Sequence, residues 1–311
     1  MRIMFMGTPD FAVSSLIALK EAGHEIVAVV TMPDKPKGRG HKMTHTPVYE
    51  AAVTMDTEIY TPENIKEDYF GDVLKKINPD IIVVVAYGKI LPEYILNYPK
   101  YGCVNVHASL LPKYRGAAPI QRSIIEGETV TGVTTMYMEK GLDTGDMLLK
   151  SEVEITDEDN YKTVHDKLAQ VGAELIVKTL SALQSGIYNP EKQDDSMACY
   201  AHMITKETAT IDWTKSARDI HNLIRGLFPI PKAFTTYSGK IMKIGTSSVS
   251  SKTSSVNPGT IIEVTKDSFF VSCGDNSVLE ILSIQIEGKK MMKVSEFLIG
   301  NDILVNSCLG E

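Results

Sequence analysis

The densest run of residues able to do chemistry is NVHASLLPKYRGAAP, residues 105–119. Asn105 and His107 are two apart, so on an extended strand both side chains leave the same face. An amide donor beside an imidazole can hold an oxyanion or move a proton. Taken alone, N-x-H is more often a strand-end pair bonded to nearby backbone. A second element is KGLDTGD, residues 140–146, where Asp143 lies between Gly141 and Gly145. Such a loop is tight enough to aim a carboxylate. Near His107, Asp143 would fix the imidazole tautomer and favour its charged form. Alone, D-x-G-D reads as a turn or a weak calcium-like match.

Other chemistries have less support. The first apolar run is followed by MGTPDF rather than G-x-G-x-x-G, and no Walker motif occurs, so a dinucleotide or ATP site is poorly supported. Without EF-hand spacing or a zinc-ligand pattern, no metal is expected. Cys103, Cys199, Cys273 and Cys308 are scattered, which fits free thiols in a reducing cytoplasm. The N-terminal apolar run is too short for a signal peptide, and no stretch approaches the ~20 apolar residues of a membrane span. A cytoplasmic protein without a membrane partner is the expectation.

The elements that must position these residues alternate. Residues 1–7, 25–31, 80–87 and 104–107 read as strands, and residues 9–22 as a helix with proline in its first turn. The run DIIVVVAY is apolar throughout, as in a parallel sheet covered on both faces. This pattern predicts an α/β sheet with ligands at the carboxyl ends of its strands. Residues 131–138 and 147–155 read as further strands, and 160–185 as one long helix. Residues 190–206 are polar and aperiodic and read as a linker between a domain at 1–189 and another at 207–311. In the second, a helix over 215–227 precedes five short strands separated by turn residues. Their spacing predicts a small OB-like β-barrel, with the Ser/Thr-rich stretch 247–255 as an exposed loop.

The chain has 311 residues, 43% apolar and 23% charged, enough for two folded domains. The net charge is -7. All of the imbalance lies in residues 1–206, and residues 207–311 are neutral, so any RNA contact must be local.

Taken together, the motifs resemble the 10-formyltetrahydrofolate-dependent formyltransferases. The resemblance rests on Asn105, His107, SLLP at 109–112, YRGAAP at 114–119 and GLDTGD at 141–146. It implies a Rossmann-like formyltransferase domain, no metal, and a catalytic set of Asn105, His107 and Asp143. It associates Ser109, Leu110, Leu111 and Pro112 with the folate co-substrate, and puts Tyr87 and Gly88, in VVVAYGKILP, beside the pterin.

Within the family the chain is most similar to members acting on initiator methionyl-tRNA. In those members the loop at 32–47, MPDKPKGRGHKMTHTP, wedges against the acceptor stem, with Arg39 as its key residue and Lys37 and Lys42 beside it. A mobile glycine-containing loop with cations also suits phosphate contact on physical grounds, although a charged loop is more often only solvated. IDW at 211–213 and PGT at 258–260 resemble a tRNA-binding C-terminal domain, and Lys206 matches a position near the acceptor end. Lys140 departs from the pattern of relatives and is expected to face solvent. The expected activity is formyl transfer from 10-formyltetrahydrofolate to the methionine amino group, by a monomer. Three rival readings are a formyltransferase for nucleotide-linked amino sugars, a non-catalytic folate- or RNA-binding module, and a nicotinamide oxidoreductase.

Overall fold

Strands apolar at every position gain most when both faces are covered, which calls for helices on either side of a largely parallel sheet. The structure, a computed structural model, describes residues 1–37, 42–65 and 68–310. The chain forms two compact units. The first comprises 1–117, 130–154 and 165–201, and the second 118–129, 155–164 and 202–311.

The first unit is Rossmann-like. Its seven-stranded sheet runs Met147–Glu154, Val130–Tyr137, Cys103–His107, Ile81–Val85, Arg2–Gly7, Glu25–Val30, Ile59–Tyr60. The five strands from Cys103–His107 to Ile59–Tyr60 are parallel. The other two are antiparallel additions at one side. Ile81–Val85 is buried at every position, and Arg2–Gly7 at all but its first. The chain leaves Arg2–Gly7 towards one edge and later returns to its other side as Ile81–Val85. The carboxyl ends of these two strands therefore mark a topological switch point, where such sheets open a crevice. There Thr8 Oγ1 donates to the main-chain oxygen of Tyr87 at 2.9 Å.

The segment 190–206 carries more order than its composition suggests. It includes the 3-10 turn Asp195–Met197 and the strand Tyr200–Ala201, and the helix Lys206–Ala209 starts at its end. Tyr200–Ala201 pairs in parallel with Arg115–Gly116, and Glu191 exchanges main-chain hydrogen bonds with Met147 at 2.8 Å.

In the second unit, helix Ala217–Leu227 is capped by Ser216, whose hydroxyl accepts from the Asp219 N–H at 3.1 Å. Ile220, Ile224 and Leu227 form its buried stripe, and they join Trp213, Phe269 and Ile281 in the core of this unit. The antiparallel sheet runs Phe234–Tyr237, Lys240–Thr253, Ser277–Ile286, Phe269–Ser272, Ile261–Val264, with Met292–Lys293 also on Ser277–Ile286.

Two expectations change here. Stretch 247–255 is not a loop over most of its length, because strand Lys240–Thr253 takes in 247–253, with Ser247 opposite Ile281 and Val249 opposite Leu279, although 251–253 and 255 are exposed. Serine and threonine side chains do not prevent a ladder when a partner strand is present. The barrel is not closed among the described residues. The edge strands Phe234–Tyr237 and Ile261–Val264 do not pair with each other. Main-chain bonds from Leu309 to Gly259 and from Gly310 to Thr236 put the chain's last residues between those edges. The domain is one of antiparallel strands.

Candidate active site

Asn105 and His107 lie on strand Cys103–His107, opposite Met136 and Thr134 of the neighbouring antiparallel strand. The period of two puts both side chains on one face, as their spacing requires. His107 is buried. Asn105 is half-buried, and its side-chain amide has no hydrogen-bond partner among the described residues.

The His107 ring is held from two sides. Nε2 lies 2.9 Å from the Tyr114 carbonyl oxygen. A carbonyl can only accept, so Nε2 carries the proton. Nδ1 then faces Asp143 Oδ2 at 3.7 Å, longer than a hydrogen bond.

Asp143 is positioned by main chain. Its Oδ2 accepts from the Gly116 N–H at 2.8 Å, and its own backbone is left-handed, at φ 53°. Both flanking loops depend on glycine. Gly116 has φ 121°, and a Cβ there would stand 2.9 Å from the Ala201 oxygen. A Cβ on Gly145 would stand 1.9 Å from the Tyr137 oxygen, so the loop after strand Val130–Tyr137 closes this tightly only with glycine.

The segment 109–112 is tied to the same strands by Thr134. The Thr134 hydroxyl donates to the Ser109 oxygen at 2.7 Å and accepts from the Leu111 N–H at 3.1 Å. Ser109 Oγ donates to the Lys113 oxygen at 2.7 Å. Thr134 is wholly buried. Thr134→Val keeps its shape and strands two buried polar groups. It should cost about 1–3 kcal/mol of stability, read from urea unfolding. An unchanged midpoint would mean that this hydroxyl does not hold the segment.

Tyr87 and Gly88 follow the neighbouring strand Ile81–Val85, and Gly88 has φ 89°. The Tyr87 ring is a core member. Burial pushes its phenol up to about 12, and its hydroxyl has no partner among the described residues. Lys140 is exposed as expected, and its ammonium pairs with Glu93 at 3.1 Å. Lys37 and Lys42 are the last backbone pair of the hairpin formed by Lys35–Lys37 and Lys42–Thr44. Arg39 lies outside the described residues. Lys206 belongs to the second unit. There it lines a groove of about 350 Å³ with Ile204, Pro231, Lys232, Phe234 and Lys243.

Two buried polar residues at the site were not singled out from the sequence. Gln193 Nε2 donates to the main-chain oxygens of Asp143 and Gly145, both at 2.8 Å. The Arg115 Nε and Nη2 donate to Gln193 Oε1 at 2.9 and 2.8 Å. Arg115 was visible inside YRGAAP, but Gln193 stands in a polar stretch with no local signal. Among the described residues, no group of three or more His, Cys, Asp or Glu is placed to hold a metal. None of their helices is long and apolar enough to cross a membrane.

What this arrangement can do is donate two hydrogen bonds to a developing oxyanion, from Asn105 and from a protonated His107, with a carboxylate beside them to take a proton. Known proteins resemble the chain in sequence over both of its parts. The formyl transferase model matches residues 1–180, and the formyl transferase C-terminal domain model matches 203–302. A methionyl-tRNA formyltransferase of Caldanaerobacter subterraneus subsp. tengcongensis is 53% identical over 97% of this chain and 98% of its own length. One from Alkaliphilus oremlandii is 49% identical over the whole of both chains. In three dimensions, HypX from Aquifex aeolicus matches 97% of this chain with a TM-score of 0.65 at 15% identity, a likeness of fold alone. This chain spans about half (48%) of that longer protein. With both halves matched and half of all positions shared end to end, the chain belongs to the formyl transferase family, alongside its methionyl-tRNA formyltransferases.

Proposed function

We infer that the chain transfers a formyl group from 10-formyltetrahydrofolate to the amino group of methionine on initiator methionyl-tRNA, giving the formylated tRNA used to start translation. The observation that carries this reading is the end-to-end identity of about half with methionyl-tRNA formyltransferases, in a chain whose Asn105, His107 and Asp143 are all intact.

The residues fit a formyl donor, because the open Asn105 amide and the His107–Asp143 pair converge at a strand's carboxyl end in a sheet built to bind ligands there. Attack of a neutral amine on a formyl carbon places negative charge on the formyl oxygen. Asn105 and His107 are the donors for that charge, and His107 acts through Nδ1, since Nε2 is committed to the Tyr114 carbonyl. Asp143 stabilises the Nδ1-protonated ring and takes the proton leaving the amine, directly or through one water. The tetrahedral intermediate then collapses: the bond from the formyl carbon to folate N10 breaks, N10 takes up the proton that the amine gave to Asp143, and tetrahydrofolate leaves. Ser109 to Pro112, together with Tyr87 and Gly88, shape the folate side of this site.

The tRNA is read elsewhere on the chain. Arg39, Lys37 and Lys42 meet the acceptor stem. The groove at Lys206, with two further lysines over an apolar floor, suits an RNA strand. On this reading residues 1–189 are catalytic, 190–206 a connection, and 207–311 an open OB-like sheet that binds tRNA. The protein works as a monomer in the cytoplasm without a metal. Arg39→Ala should raise KM for the charged tRNA severalfold or more and leave folate binding unchanged. Unchanged tRNA kinetics would remove the loop from recognition.

The deciding assay incubates the purified protein with 10-formyltetrahydrofolate and, separately, methionyl initiator tRNA, free methionine or a UDP-linked amino sugar. Formylation of the charged tRNA alone is expected. Formylation of the sugar alone would keep the catalytic trio and overturn the substrate.

A further inference from the structure

We propose that Gln193 is a positioning residue for the reaction: its side-chain amide, fixed by Arg115, sets the backbone that aims Asp143 at His107. This rests on the role given to Asp143 above.

The amide is fully committed. Two guanidinium N–H groups of Arg115 must face an acceptor, which identifies Oε1, and two main-chain carbonyls must face a donor, which identifies Nε2. Both Nε2 hydrogens are spent on the catalytic loop, one on Asp143 and one on Gly145. Asp143 is in the left-handed region, uncommon for a residue other than glycine and kept where the surroundings hold it. The Gln193 bonds on either side of Thr144 supply that hold. Arg115 couples the other half of the geometry. The residue after it, Gly116, gives its N–H to Asp143 Oδ2, and the Arg115 N–H is held by the Cys199 oxygen at 2.9 Å. Arg115 and Gln193 are both buried, and Arg115 Nη2 also reaches the exposed Asp195 carboxylate at 2.8 Å. One buried fork therefore holds the backbone of Asp143 through Gln193 and, through its own main chain, the N–H that receives the carboxylate.

A misplacement of about 1 Å at a reacting group can cost 10²-fold. The test compares Gln193→Leu, Gln193→Glu, Asp143→Ala and the two Gln193 variants combined with Asp143→Ala. Rates with 10-formyltetrahydrofolate and methionyl initiator tRNA are expressed per folate-binding site. Gln193→Leu removes all four bonds. Gln193→Glu keeps the acceptor for Arg115 and removes the donors to the loop, so it serves if the leucine variant does not fold.

Each single Gln193 variant should lose about 10- to 100-fold in kcat, with both KM values within about threefold of the parent. In the Asp143→Ala background neither should lose more than about twofold further, because the group it positions is gone. A merely structural residue would carry its full loss into that background, and this outcome would overturn the proposal. So would a Gln193→Glu protein with parental kcat. If Asp143→Ala itself keeps near-parental kcat, the role of Asp143 fails and this inference with it. If Asp143→Ala is crippled while the Gln193 variants are not, the inference fails alone.

Discussion

Replacing His107 with alanine is expected to lower kcat on methionyl initiator tRNA by about 10²–10³-fold, which is roughly 2.7–4 kcal/mol of lost transition-state stabilisation. The ring is buried between an acceptor that fixes Nε2 and a carboxylate that faces Nδ1, so it is held in one orientation before substrate arrives. Preorganised donors of this kind need no rearrangement as charge develops, and they act where water is largely excluded. Truncation also removes the bond from His107 Nε2 to the Tyr114 carbonyl, so stability is expected to change too. Steady-state rates should therefore be read beside a thermal melt and a folate titration. A collapse of kcat with folate binding retained supports the assignment. A folded variant with near-parental kcat would remove His107 from the chemistry.

Asp143→Asn is expected to cost about 10²–10⁴-fold in kcat, the range of a lost general base. The substitution is close to isosteric and still offers an oxygen to the Gly116 N–H, so the loop should keep its shape. What disappears is the negative charge that faces His107 Nδ1, and the site that receives the proton from the amine. Because the geometry survives, the loss should appear in kcat while both KM values stay near those of the parent. If the loss appeared instead as a raised KM for folate with kcat intact, Asp143 would be a binding residue and the proton would go elsewhere.

Much of this protein could be read from local pattern. The run Ile81–Val85 announces a doubly covered strand because every residue is apolar, and it is buried at every position. The spacing of Asn105 and His107 fixes a shared face because a strand alternates sides with a period of two. The motifs at 105–119 and 141–146 point to the formyl transferase family, and the match over 1–180 bears this out. In the second unit the strands were legible, while their closure was not. Whether an antiparallel sheet meets itself depends on what else reaches its edges, and here residues near the C-terminus bond to Gly259 and Thr236. The serine-rich stretch within Lys240–Thr253 pairs for a similar reason, since a ladder needs a partner strand more than it needs apolar side chains.

The sequence by itself determined the class of sheet, the reactive residue types and the family, because all three are written in periodicity and in short runs of neighbouring residues. Only the tertiary structure decided which nitrogen of His107 faces Asp143, and that Gln193, 50 residues further along the chain, grips the loop carrying that carboxylate. Those facts depend on hydrogen bonds between segments distant in sequence. A buried amide wedged between a guanidinium and two carbonyls leaves no periodicity, motif or charge pattern from which it could have been read.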